Sequence, residues 1–139
     1  MLEPKKLKYR KHHRRRGAFY GKATRGAQLA FGFIGLKSMD GGEMTARQIE
    51  ACRRAITHHI QREGKLHIRI FPHTPVTRKA AEVPMGAGKG SVEYFACVVK
   101  PGTILFELDG LKEGVAREAL ILGAHKLPVT TKIVTRRVA

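Results

Sequence analysis

Tryptophan is missing from these 139 residues, cysteine occurs twice, and 11 acids stand against 27 lysines and arginines. Each shortage closes a class of function. Cys52 and Cys97 have neither the paired spacing of a zinc site nor the density of a disulfide scaffold, so reduced thiols acting as small core residues are expected. No apolar run is long enough to span a membrane, and residues 1–25 lack the apolar centre of a secretion signal. Six Phe and three Tyr form no pattern of an RNA-recognition sheet or a cold-shock fold. Any nucleic-acid contact is therefore expected to use backbone and shape more than stacking of successive bases.

Catalytic and cofactor motifs are equally scarce. The run GAGKG resembles part of a phosphate-binding loop, but the first glycine position is Val83, and Gly90 follows Lys89 where Ser or Thr is required. It also precedes an expected strand instead of opening a helix, so the N–H cradle is lacking. Of the seven histidines, His12 and His13 sit in a basic arm, His58 and His59 are adjacent on a helix, and His67, His73 and His125 are isolated. Surface or phosphate-facing roles suit them better than a metal site, with a helix C-terminal place for His125. No Ser-His-Asp, Cys-His or paired-carboxylate arrangement is present, so neither catalysis, cofactor nor metal is expected.

What the chain has in excess is positive charge. Within residues 1–25, ten cations (Lys5, Lys6, Lys8, Arg10, Lys11, Arg14, Arg15, Arg16, Lys22 and Arg25) face one acid, Glu3, giving the segment +9 of the chain's +16. A core cannot absorb that density, because each buried charge needs a partner. The expected partner is a polyanion whose phosphates accept Arg and Lys, which would order an arm that is locally disordered alone. A solvated tail or an organellar import sequence is the weaker alternative. Charge alone does not separate RNA from DNA.

Residues 26–139 read as one α+β domain, large enough for a single modest core. Residues 28–36 are extended, with Gly32 and Gly35 allowing a bend or a close backbone approach. After a turn through Asp40–Gly42, Thr45 and Gln48 form a capping box for a helix ending near Gly64. This helix buries Ile49, Cys52, Ile56 and Ile60 beside Ala51 and Ala55. Its other face carries Arg47, Arg53 and Arg54, read as RNA contacts. Lys65–Phe71 alternates as a strand until Pro72 and Pro75 stop it. Strands over Val92–Val99 and Ile104–Leu108 flank Pro101-Gly102 and are expected to pair as an antiparallel hairpin. A second helix over Glu113–His125 is expected to bury Val115, Ala119 and Leu122, followed by a last strand over residues 129–136. The predicted architecture is an α+β sandwich, a largely antiparallel sheet packed against two helices. The connection 72–91 is long for so small a domain and is expected to be functional. Arg78, Lys79 and Lys89 would meet phosphate there, while Gly86, Gly88 and Gly90 permit close approach to a large partner.

Taken together, five segments resemble the bacterial large-subunit ribosomal protein L16 family across essentially the whole chain. They are MLEPKKLKYRKHHRRR, TARQIEACRRAI, GKLHIRIFPHTPVT, MGAGKGSVEYFACVVKPG and GVAREALILGAHKLPVTTKIVTR, in that order. The resemblance implies a non-catalytic protein that binds large-subunit ribosomal RNA near the transfer-RNA channel. It implies a role in late assembly and support for aminoacyl-transfer-RNA positioning near the peptidyl-transferase centre. Neighbouring ribosomal proteins would be partners, the chain would be a monomer before assembly, and no membrane partner is implied. The expected location is the cytoplasmic ribosome, with an organellar ribosome as the alternative. A general DNA-binding protein or RNA chaperone is the competing class. Two positions depart from the family pattern. Pro84 stands where Arg, hydroxylated in some members, commonly precedes the MG-x-GKG segment. Ile34 replaces the second aromatic of FG-x-FG.

Overall fold

Thr45 turns the chain into its first helix. Its hydroxyl accepts from the Gln48 N–H at 3.2 Å, and Gln48 Oε1 accepts from the Thr45 N–H at 2.9 Å. Two backbone donors that the helix cannot satisfy internally are thereby paired. The computed structural model describes residues 1–17 and 19–136; Ala18 of the arm and the last three residues of the expected domain lie outside them. Within the described residues the order is β1 (Ile34–Ser38), β2 (Gly42–Thr45), α1 (Ala46–His59), β3 (Lys65–Ile68), β4 (Thr74–Arg78), β5 (Ser91–Val99), β6 (Ile104–Asp109), α2 (Glu113–Ala124) and β7 (Thr131–Thr135).

The strands form two sheets, not one. A four-stranded sheet runs β3-β6-β1-β7 and a three-stranded sheet runs β2-β5-β4, with every pairing antiparallel. The two helices pack on each other, α2 also against β1 and β7, and α1 against β2, β3 and β5. This is the expected α+β sandwich. The expected β5–β6 hairpin is not formed. Both edges of β5 are taken by β2 and β4, and both edges of β6 by β3 and β1. The turn at Pro101-Gly102 instead hands the chain from one sheet to the other. It is bonded to the end of β1, where the Gly102 N–H donates to Ser38 O at 2.7 Å and the Ser38 N–H to Thr103 O at 2.8 Å. A short connection rules out a parallel crossover, but it does not oblige its strands to pair.

Two boundaries and one helix face also differ. Helix α1 ends at His59 with Ile60 as C-cap, several residues before Gly64, because Gln61 and Arg62 take left-handed backbone conformations. Ile49, Cys52, Ile56 and Ile60 are buried as expected, but Ala51 is exposed. Strand β3 stops at Ile68, short of the expected Phe71. In α2 the inward stripe is Ala116, Ala119, Leu120 and Gly123, leaving Val115 and Leu122 exposed. Small residues face inward because α2 lies close against α1. A Cβ added at Gly123 would meet Ile56 Cγ1 at 2.6 Å.

Candidate nucleic-acid interface

Among the described residues, none before residue 34 lies in a helix or strand, yet the arm is not detached from the domain. Arg14 forms an ion pair with Glu43 of β2 at 2.8 Å, and the resulting hydrogen bond raises the Arg14 pKa. Farther on, the Ala23 N–H donates to Pro101 O at 2.9 Å. The most informative contact joins the arm to the glycine-rich loop. Lys11 Nζ donates to Lys89 O at 2.9 Å, and Lys89 Nζ donates back to His12 O. Two strongly cationic segments, 78 residues apart in sequence, thus meet on one surface. Lys5, Lys6, Lys8, Arg10, Arg15, Arg16, Lys22 and Arg25 are all exposed and have no acidic partner among the described residues.

The loop is shorter than expected. Strand β4 occupies Thr74–Arg78 and pairs with β5, leaving 79–90 as the connection. Pro75 is tolerated because β4 is an edge strand. Arg78 at its end lies 3.6 Å from Glu93, while Lys79 Nζ reaches across the loop to Gly86 O at 2.6 Å. Gly86, Ala87 and Gly88 have φ of 108°, 57° and 89°, a left-handed run that glycine enters without a Cβ penalty. Gly90 instead lies against Arg78 and Lys79, so its smallness serves packing within the chain. Lys89 and Met85 are exposed, and the segment runs directly into β5 with no helix to hold a nucleotide.

The three helix arginines separate. Arg47 faces a groove shared with Leu2, Arg78 and Tyr94, whereas Arg53 and Arg54 line a cleft with His58 and Arg62 at the far end of α1. Both latter arginines bind Glu50, at 2.6 and 3.1 Å, and they hold its carboxyl at about 2, Arg53 contributing most. Part of the helix charge is therefore neutralised internally.

Sequence reasoning read Lys65–Phe71, which includes His67 and Arg69, as an alternating strand and passed over Glu107. Glu107 and Arg69 form one polar cluster with the backbone of residues 28 and 30–32. Glu107 is completely buried; it accepts from the Phe31 and Gly32 N–H groups at 2.7 Å and from Ala30 at 3.2 Å. It is also ion-paired to Arg69. Burial raises its pKa, but the Gly32 N–H, Arg69, Phe31 and Ala30 together outweigh that and leave it lowered. Arg69 further donates to Gln28 O at 3.2 Å. The available signal was a lone acid inside the apolar run ILFEL, although a strand alternates and the acid could equally have faced solvent.

Other titratable groups are structural. Cys52 and Cys97 are free and buried, and burial pushes Cys52 up to about 12 and raises Cys97. His59 lies 3.4 Å from Glu118, linking the helices, and His125 is the C-cap of α2. Among the described residues no three His, Cys, Asp or Glu side chains are grouped to hold a metal, and no helix is long and apolar enough to cross a membrane.

The sequence profile of the family "Ribosomal protein L16p/L10e" matches residues 4–134. The chain belongs to this family. Large ribosomal subunit protein uL16 from Maricaulis maris is 59% identical over 136 residues, covering 98% of both chains. The proteins of the same name from Cereibacter sphaeroides and Psychrobacter arcticus are each 57% identical, over 98% and 99% of both chains. As a ribosomal protein of the L16p/L10e family the chain is a structural component and not an enzyme. Of the two departures from the L16 pattern, Ile34 is fully buried and opens β1, so the lost aromatic is replaced by a core aliphatic. Pro84 is exposed on the loop, where it offers neither charge nor donor.

Proposed function

We propose that this chain is a structural constituent of a bacterial-type large ribosomal subunit. It binds large-subunit ribosomal RNA, acts late in assembly and supports aminoacyl-transfer-RNA positioning near the peptidyl-transferase centre. The observation that carries the reading is the joining of arm and loop at Lys11 and Lys89. It makes one cationic surface from the two segments suited to threading between phosphates. The arm cations from Lys5 to Arg25, with Lys79, Lys89 and the loop glycines, form the principal RNA contact. Arg47 with Arg78, and Arg53 with Arg54, supply two further patches. The protein is a monomer before assembly, acts in the cytoplasm, and has neighbouring ribosomal proteins as partners. It needs no cofactor, metal or membrane.

Recovery of an affinity-tagged chain from cells tests this. One copy per large subunit, persisting through sucrose-gradient separation, is the expected result. Stable occupancy only on DNA, with none in the subunit, would place the chain in the competing class.

A further inference from the structure

Four aromatic rings stand out in solvent: Tyr9, Tyr20, Phe31 and Phe71. Only Phe31 is held in place by a buried charge. Its own N–H and those of both neighbours end on Glu107, a side chain with no exposure. The ring lies stacked on His67, with centroids 5.3 Å apart and planes 23° from parallel. The Arg69 guanidinium, fixed by the same Glu107, sits 5.3 Å from the ring centre. His67 lies in β3, the edge strand of the four-stranded sheet, and Arg69 just beyond its end, and both lie against the ring. Even so, Phe31 remains 59% exposed. A hydrophobic ring that is placed by its backbone yet left mostly bare gains little for the fold, because most of its apolar area stays in water.

We infer that Phe31, backed by His67 and Arg69, is a stacking platform for one unpaired RNA base. This rests on the ribosomal RNA reading above and adds a base contact to a surface otherwise suited to phosphates. An aromatic face accepts any base, and a rigid one spares the ordering cost of binding. A cation for an adjoining phosphate is supplied by Arg136, since Lys65, one alternation before His67 on the same face, is opposed across the ladder by Asp109. Exposed Arg136 is tied to Phe33 O through its N–H at 2.7 Å. A protein partner would be served by a broader apolar surface than one ring in this polar setting.

The test compares full-length protein binding to penta-adenylate RNA and to an abasic ribose-phosphate chain of equal length, by fluorescence anisotropy at fixed salt. Both probes present the same phosphates, so their affinity ratio isolates the bases. Wild-type protein should prefer the adenylate about tenfold. Phe31→Leu should remove the preference without lowering the melting temperature, Phe31→Trp should retain it, and His67→Ala should reduce it. Equal binding of the two probes by wild type overturns the platform, as does a preference that survives Phe31→Leu or an equal loss for both probes in that variant. Incorporation into large subunits is read separately. A chain present in subunits but lacking base preference fails only here, whereas a chain absent from subunits fails the functional reading itself.

Discussion

Two glutamates of the same type do opposite work. Glu107 holds Arg69 and the backbone of residues 30–32 in a site without solvent, so Glu107→Ala would strand a partly buried guanidinium and three N–H groups. We expect a loss of about 3–5 kcal/mol in urea denaturation; a loss under about 1 kcal/mol would mean that water replaces the carboxylate. Its lowered pKa fixes the sign of the pH dependence. The contribution is complete above the unfolded value of about 4.3 and disappears as pH falls through the lower folded value. Glu50 is a surface acid paired with Arg53 and Arg54, so under the proposed function it would compete with RNA for both. Its carboxyl, held at about 2, stays ionised through the physiological range. Glu50→Gln should therefore strengthen RNA association and steepen its salt dependence, by up to about two phosphate contacts. Stability should change by less than about 1 kcal/mol, since exposed pairs are screened. Weaker binding would show that Glu50 positions the arginines instead of withholding them.

Among the elements, α1 was legible because its signals agree: a capping box, a wide apolar stripe and a cationic back. Helix α2 was legible in extent but not in orientation. Val115 and Leu122 are larger than the alanines that actually face inward, and side-chain size misleads wherever two helices approach closely. Strand β4 was hidden by Pro75, which stops a central strand but not an edge. The β5–β6 relation was beyond local reading, because the partners that separate them lie far away in the chain. The arm and loop were visible as charge, whereas their union at Lys11 and Lys89 depends on tertiary placement. Two variants separate the loop's charge from its shape. Lys89→Gln removes a cation and the bond to His12 O; Gly90→Val pushes position 90 away from Arg78 and Lys79. In large subunits with equal protein occupancy, both should slow transfer-RNA accommodation measured by stopped-flow fluorescence. Unchanged rates for both would restrict the loop to assembly.

For the whole molecule, a net charge of +16 makes salt act in two directions. In the free chain, ions screen self-repulsion, so the melting temperature should rise between about 10 and 150 mM salt, as the Debye length contracts from roughly 30 to 8 Å. RNA affinity should fall over the same range as counterion release weakens. A melting temperature that drops instead would mean that internal pairs such as Arg14–Glu43 outweigh the repulsion. The pairing of β1 with β7 carries a different consequence. Residues 34–38 find their partner only at residues 131–135, and β1's other neighbour is β6. During synthesis, β1 must therefore wait for almost the whole chain before its sheet can close, and such distant pairing slows folding. The basic arm is made first and remains without its folded domain throughout that interval. For a nascent protein in a cell full of RNA, the time between emergence and closure is a window for binding the wrong polyanion.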